Sequence, residues 1–293
     1  MELQTGSILP MHSAGGSMLP ARNHDLHSCL DRIDRLGVFP EVAHRILRVT
    51  QSVDATMADL ESAVSIDPVL TARVLQVANS PLYGLSQKIG TLRRAVQMLG
   101  MEGTRGVAFA LAVSAMGSQG GQQARALYDR AIATAATTRL LAPHVAGIHA
   151  GMMFAAALVH DLGLQLLLIV EGDATRELLS KLGHNRTLVR AERFHFGFDH
   201  AQLGGEGLRR WGLPEPAAML VASHHDPIRP HQRSRALLQI ADHVGEGVIH
   251  GDLPWQIADR GRDHALAPLL SVPGELWDEL AEQLPGVMRS ISG

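Results

Sequence analysis

Cysteine, lysine and aromatic residues are scarce in this sequence of 293 residues. The one cysteine, Cys29, cannot form a disulfide within the chain, which excludes a secreted, disulfide-stabilised scaffold. Lysine is confined to Lys88 and Lys181, so almost all of the positive charge is arginine. With 26 basic and 29 acidic side chains the formal net charge is −3. That balance is not typical of a protein that coats nucleic acid, and we expect no direct nucleic-acid binding.

The first residues of the sequence do not have the pattern that is typical of a signal peptide. Residues 1–21 are rich in Gly, Ser, Pro and Met without any periodicity, and they have neither a charged start nor a continuous apolar stretch. We predict a flexible N-terminal tail over these residues. We expect the protein to be cytoplasmic.

One apolar run, residues 151–170, is long enough to cross a membrane. His160, Asp161 and Gln165 lie in its middle, and an aspartate at the centre of a lone span costs about 2.5–3.5 kcal/mol. The run therefore predicts a helix that is buried on all sides in the core, and we expect no membrane association.

The rest of the chain has the hydrophobic spacing of helices, and no run of alternating residues indicates a strand. Thr56 and Asp67 are predicted N-caps, with Pro68 at the first helical position. Asn79-Ser80-Pro81 is predicted to end the helix that Pro68 begins. The sequence therefore predicts an all-α protein.

We predict two helical lobes and a C-terminal helical extension. The N-terminal lobe covers residues 22–122, and the glycine-rich stretch 117–122 marks its end. The second lobe covers residues 123–250, and the extension covers residues 251–293. Trp255 and Trp277 in the extension are expected to be buried, because large apolar side chains favour the core.

Histidine, by contrast, is abundant, with 16 residues. Four histidines and two aspartates are placed within or at the ends of predicted apolar helices, and these six are His160, Asp161, His200, His224, His225 and Asp242. Imidazole and carboxylate groups are ligands for Fe, Mn or Zn ions. Successive residues on a helix point about 100° apart, so several helices must converge to complete such a site. The other twelve histidines show no comparable arrangement.

The order of these residues resembles that of the HD superfamily of metal-dependent phosphohydrolases. Residues 65–84, SIDPVLTARVLQVANSPLYG, look like the signature of the HDOD domain, the HD-related output domain of bacterial signalling proteins. Further similar segments are IGTLRRAVQMLG at 89–100, ALVHDLG at 157–163, FDHAQLG at 198–204, WGLPE at 211–215 and SHHDP at 223–227. The resemblance covers about residues 30–245.

The resemblance implies an all-helical fold in which an N-terminal helical lobe packs on an HD-like lobe. It also implies a regulatory role in bacterial signal transduction. We therefore expect the protein to bind a signalling protein partner or a small ligand such as a nucleotide. A homo-oligomer is compatible with this expectation.

Three positions depart from the catalytic pattern of the HD superfamily. The active enzymes carry a metal-ligating histidine upstream of the His-Asp pair, and the corresponding position here is Arg130. Arginine cannot ligate a metal, so we expect its guanidinium to take the place of the ion and to pair with Asp161 or Asp242. The cyclic-dinucleotide phosphodiesterases carry a lysine where this chain has Leu164, and a Gly-Tyr-Pro signature where it has Asp226-Pro227.

These departures favour a degenerate HD-type site without catalysis, in which no cofactor is expected. The alternative is that the remaining histidines and aspartates hold a divalent Fe, Mn or Zn ion. The protein is then a phosphohydrolase that acts on a nucleotide or a cyclic dinucleotide, with His160 and Asp161 as metal ligands.

Overall fold

The computed structural model describes residues 25–36, 45–46, 49, 52, 54–116, 121–184 and 186–292. Helices account for all the regular secondary structure of these residues, which contain no strand, and this confirms the predicted all-α fold class. The predicted tail over residues 1–21 lies outside the described residues, as does most of the predicted boundary at 117–122.

The described α-helices are numbered here in chain order. They are α1 Leu26–Arg35, α2 Met57–Ser65, α3 Pro68–Ala78, α4 Leu92–Met116, α5 Gly121–Leu141, α6 Ala150–Val159, α7 Leu162–Val170, α8 Gly172–Leu182, α9 Arg186–Phe196, α10 His200–Arg210, α11 Glu215–Ala222, α12 Arg233–His250, α13 Pro254–Arg262, α14 Ala267–Leu270 and α15 Gly274–Ser292. Single 3₁₀ turns form at Pro81–Tyr83 and Ala142–His144.

The helix starts predicted for the N-terminal part follow from local capping. Thr56 caps α2 in a capping box with Asp59. The Asp67 carboxylate accepts the backbone N–H groups of Val69 and Leu70, and Pro68 is the first residue of α3. Helix α3 ends at Ala78, with Asn79 as its C-cap. The predicted caps and the predicted helix end are therefore confirmed.

Helix α5 lies at the centre of the part of the molecule that carries the site, where it packs against α12, α6 and α15. Helix α4 packs against α2 and α3 and also against α6, so it connects the N-terminal helices to this region. Helix α7 packs against α10, which in turn packs against α11. The helices that carry the predicted site residues are therefore neighbours in space.

The apolar run at 151–170 forms two helices instead of the predicted single helix. Helix α6 ends at Val159, His160 and Asp161 form a turn, and α7 begins at Leu162. The run is apolar enough to span a membrane by length and composition, but 94% of its most apolar window is buried inside the protein. It is the core element that the sequence predicts, interrupted at its two charged residues.

Gly163, the second residue of α7, lies at a close crossing of α7 and α10. A β-carbon at Gly163 would lie 1.8 Å from the carbonyl oxygen of His200. Only glycine therefore allows the two helices to approach this closely. The crossing brings the start of α7, next to Asp161, against the start of α10, where His200 is located.

The C-terminal helices pack on the rest of the protein. Helix α13 contacts α12, and α15 contacts α13, α5 and α3. Trp277 is buried, as predicted, and its ring fills the space beside Gly261. The prediction for Trp255 is wrong, because this residue is 61% exposed. It lies in the first turn of α13, whose buried residues are Ile257, Ala258 and Gly261.

Candidate functional site

The structure brings all the sequence-predicted site residues into one buried region. The turn between α6 and α7 supplies His160 and Asp161, the first residue of α10 is His200, the turn after α11 supplies His224 and His225, and α12 and α5 supply Asp242 and Arg130. Sequence reasoning missed one further residue, His184, which follows the end of α8. Asp161 lies between two groups of these side chains.

The first group, which we call the arginine half, consists of Arg130, His160 and Asp242. The Arg130 Nε donates a hydrogen bond of 2.6 Å to Asp242 Oδ1 and lies 3.8 Å from Asp161 Oδ2. His160 Nε2 lies 3.1 Å from the same Asp242 oxygen and 3.2 Å from Asp161 Oδ2. Asp161 and Asp242 are the two carboxylates predicted as partners of Arg130. Arg130 therefore forms a hydrogen bond with one of them, Asp242, and lies near the other.

Charge in the arginine half is balanced by the protein itself. Burial alone would lower the pKa of His160, but Asp161 and Asp242 raise it to about 10. Burial alone would raise the pKa of Asp242, but Arg130 and His160 hold it well below its ordinary value. Arg130 and His160 thus face the two carboxylates of Asp161 and Asp242.

The second group, which we call the histidine half, consists of His184, His200, His224 and His225. His200 Nε2 and His224 Nε2 lie 3.6 Å and 3.8 Å from Asp161 Oδ1. His200 Nε2 lies 2.9 Å from His225 Nε2, and the rings of His224 and His225 have centroids 3.9 Å apart. In this half the facing groups are imidazoles, and burial lowers the pKa of His224 to about 3 and also lowers that of His225.

Hydrogen bonds to the other ring nitrogen fix the orientation of two imidazoles in the histidine half. His224 donates its Nδ1–H to the carbonyl oxygen of Val221 at 2.7 Å. His200 donates its Nδ1–H to Glu192 Oε2 at 2.6 Å, and Glu192 is itself fully buried. In both residues the Nε2 atom points toward Asp161. Metal-binding histidines are typically held by such a bond from the second nitrogen to a carbonyl or a carboxylate.

Several buried polar atoms around Asp161 lack a hydrogen bond of acceptable geometry within the described residues. They are both carboxylate oxygens of Asp161, the Nε2 of His224 and both ring nitrogens of His184. Buried polar groups are normally hydrogen-bonded, because desolvation without a partner costs about 1–3 kcal/mol per group. Unpaired atoms that face one another here need another explanation.

A divalent ion would satisfy these atoms. Two atoms that ligate the same ion lie about 3–4 Å apart, because each bond is about 2.0–2.3 Å long. The distances from Asp161 to His184, His200 and His224, 3.0 Å to 3.8 Å, lie in that range. The histidine half with Asp161 therefore fits a metal. The arginine half does not, because the Arg130 guanidinium already pairs with Asp242 there.

Leu164 does not belong to the site. It is fully buried in a small apolar cluster with Leu127, Leu168 and Leu188. The cyclic-dinucleotide phosphodiesterases carry a lysine at this position. In this chain Leu164 is instead part of the hydrophobic packing of α7. It offers no charge to a ligand.

A pocket of about 440 Å³ connects the site to the surface. Its inner part is formed by Arg130, His184, His224, His225 and Asp242. Its rim includes Arg186 at the start of α9, His243 and Glu246 on α12, and His264, Ala265 and Leu266 between α13 and α14. The C-terminal segment therefore contributes one wall of the entrance. A larger groove of about 770 Å³, between α11 and the start of α12, contains none of the predicted site residues.

A comparison of the chain with known protein families agrees with the fold and the site described above. Residues 36–227 match the HDOD domain. The chain belongs to the HDOD domain family. The resemblance inferred from the motifs is thereby confirmed. His264 and its neighbours at the pocket rim lie beyond the residues that match the HDOD domain.

A curated relative is an uncharacterized protein of Treponema pallidum (strain Nichols). It is 25% identical over 242 residues, which make up 78% of this chain and 45% of that protein. This HDOD chain therefore spans less than half the length of that relative.

Three solved structures share the fold over most of the chain. A protein of Shewanella amazonensis SB2B, provisionally named a phosphohydrolase, has a TM-score of 0.69 at 21% identity and covers 91% of this chain and 100% of its own. An HDOD domain protein of unknown function from Geobacter sulfurreducens has a TM-score of 0.61 at 21% identity, with 90% and 99% covered. A protein of Marinobacter aquaeolei VT8, provisionally named for signal transduction, has a TM-score of 0.62 at 22% identity, with 91% and 63% covered. At these identities the likeness shows the fold.

Proposed function

We propose that this HDOD protein is a regulatory module that binds a small anionic ligand at its HD-type pocket and does not hydrolyse it. The observation that carries the proposal is the Arg130 guanidinium, which pairs with Asp242 inside the pocket at 2.6 Å. Arginine stays protonated at every useful pH, so this position cannot be given to a metal ligand.

The consequence for catalysis follows from charge and position. A two-metal phosphohydrolase holds the attacking and the leaving oxygen with two ions about 3.5–4 Å apart. In this site the Arg130 guanidinium pairs with Asp242, a carboxylate that a metal in the arginine half would need. The side chains required for a symmetric two-metal site are therefore incomplete, which favours ligand binding over two-metal hydrolysis.

The pocket favours an anionic ligand of modest size, such as a phosphorylated nucleoside. Its volume is about 440 Å³, which is within the range of small-molecule sites. Arg186 is exposed at the rim, while Glu246 lies near His243 and Arg260. Among the described rim residues, Arg186 is thus a cation that can pair with a phosphate.

Metal analysis and hydrolysis assays on the purified protein test this proposal. We expect no turnover of bis-p-nitrophenyl phosphate or cyclic dinucleotides with added Mn²⁺ or Fe²⁺. We also expect weaker binding of a nucleoside monophosphate by Arg186→Gln than by the control Arg190→Gln, an exposed arginine on the same helix that does not line the pocket. Turnover that disappears in His160→Ala contradicts the proposal.

A second candidate function, a metal-dependent phosphohydrolase, is favoured by one specific observation. The unpaired atoms of Asp161 and His224 lie at metal-ligand spacing in the histidine half. When bound there, a divalent ion supplies Lewis-acid chemistry to a phosphoryl oxygen. The same hydrolysis assays decide between the two candidates.

The proposal also includes how the state of the pocket is passed on to another protein. We propose that a signalling protein partner responds to the state of the pocket and that the protein acts in the cytoplasm. Co-purification of a partner in the presence, but not the absence, of the bound nucleotide supports this. A pocket variant such as Arg186→Gln reduces that dependence.

A further inference from the structure

His184 is a buried histidine that no motif of the chain includes. Gly183 ends α8 with φ +65°, a conformation that favours glycine, and the chain then turns back so that His184 enters the site. The His184 side chain is 9% exposed. Its ring centroid lies 5.6 Å from that of His200 and 6.3 Å from that of His225. The residue is thus part of the histidine half although it is far from the HD motifs in sequence.

Hydrogen bonding does not explain why this imidazole is buried. Neither ring nitrogen has a hydrogen bond of acceptable geometry to any described residue. The Nε2 atom nevertheless lies 3.0 Å from Asp161 Oδ2. Both oxygens of that carboxylate also lack a well-formed hydrogen bond within the described residues. The distance between these two atoms also lies in the range expected for two ligands of one ion.

A third ligand atom completes a recognisable set. One ligand atom each of Asp161, His184 and His200 lies within 4.8 Å of the other two. Two histidines and one carboxylate are a common donor set for Fe²⁺, Mn²⁺ and Zn²⁺, and they leave positions open for a ligand. His200 is oriented for this role by the buried carboxylate of Glu192 at 2.6 Å. His184 also lines the pocket, which gives an ion an entry path.

We infer that His184 is a metal ligand and that, with Asp161 and His200, it forms a single site for one divalent ion in the histidine half. In this arrangement the ion takes no ligand from Asp242, whose Oδ1 accepts the hydrogen bond from Arg130 Nε at 2.6 Å. The inference concerns the same pocket as the proposed function. It rests on that proposal only for the position of the site. It holds whether the bound ligand is hydrolysed or not.

Two variants of His184 test the inference with Co²⁺ as the probe, by calorimetry and absorption spectroscopy on the full chain. We expect the wild-type protein to bind one equivalent of Co²⁺. His184→Ala should lower the affinity by at least about 10-fold, the smallest loss typical for disturbed metal sites. His250→Ala, an exposed histidine at the end of α12, is the matched control and should bind as the wild type does.

His184→Cys gives a readout that a structural role would not produce. A thiolate that ligates Co²⁺ adds a sulfur-to-cobalt charge-transfer band, so this variant should gain such a band on titration. The wild-type protein controls for Cys29, which is buried away from the site.

Three results overturn the inference: unchanged Co²⁺ affinity in His184→Ala, a Co²⁺-loaded His184→Cys variant without a charge-transfer band, and a wild-type protein that binds no Co²⁺. None of these bears on the absence of hydrolysis, which is tested by turnover. The failure of the inference and the failure of the proposed function are therefore distinguishable.

Discussion

The two halves of the site share Asp161 but differ in how the negative charge of the carboxylates is compensated. In the arginine half, the Arg130 guanidinium and His160 face two carboxylates, so the protein supplies a counter-charge of its own. In the histidine half, His200 and His224 face Asp161 Oδ1, while His184 lies 3.0 Å from Oδ2, the oxygen that His160 also faces. Several of these atoms lack a hydrogen-bond partner within the described residues. The arginine half contains both a cation and the carboxylates that pair with it. The histidine half has the donor set of a metal site.

This difference shows what an arginine at position 130 does to the site. A cationic side chain at position 130 satisfies Asp242 permanently, so that half becomes part of the folded core. The histidines on the other side keep their orientation through Val221 and Glu192. We therefore expect binding and stability to depend on different residues of this pocket, so variants of each half should have different effects.

The largest effect is expected for Arg130→Ala, which removes the cation of the arginine half. Asp242 and Asp161 remain buried with less counter-charge, and breaking a buried ion pair in this way costs about 3–5 kcal/mol. The free energy of unfolding from urea titration measures it. Arg125→Ala is the matched control on the same helix, because Arg125 pairs with Asp129 at the surface and such pairs contribute about 0–1 kcal/mol. Equal losses in the two variants contradict the comparison.

A second prediction contrasts the two aspartates. Asp161→Asn should abolish measurable Co²⁺ binding, because it removes the carboxylate that faces the histidine half. Asp242→Asn should leave the Co²⁺ affinity within about threefold of wild type. Calorimetric titration of both variants measures this. A loss of the same size in both means that the ion is held by the arginine half.

A smaller effect is expected for Glu192→Gln. The amide is a poorer acceptor for the His200 Nδ1–H than the carboxylate, so Co²⁺ affinity should fall about 10–100-fold. The same titration with Glu206→Gln, a partly exposed glutamate on α10 that pairs with Arg209, serves as the control. An unchanged affinity in Glu192→Gln would show that His200 does not bind the ion.

The sequence predicts the local features of this fold well, since they depend on neighbouring residues. The caps at Thr56 and Asp67 satisfy backbone groups two or three residues away, so a short window of sequence contains the whole cause. The all-α class follows from the same spacing. The family resemblance adds the order of the His and Asp residues, which the structure then places together.

The missed features depend on contacts between distant segments. The role of His184 depends on how the chain turns at Gly183 and on where α7 and α10 cross, and no nearby residue indicates either. Trp255 is exposed because α13 buries Ile257, Ala258 and Gly261 instead, which a composition argument cannot show. The division of the site into two halves is also a property of packing, since the residues of the histidine half all lie between His160 and Asp242 in the chain.

The most direct test of the central claim is the number of divalent ions bound by the wild-type protein and by Arg130→His, measured by elemental analysis after loading with Co²⁺ and removal of free metal. Arg130→His replaces the fixed cation by a neutral imidazole that can ligate. The account predicts one ion per chain for the wild type and two for Arg130→His. Two ions in the wild type, or no gain in the folded variant, would contradict it.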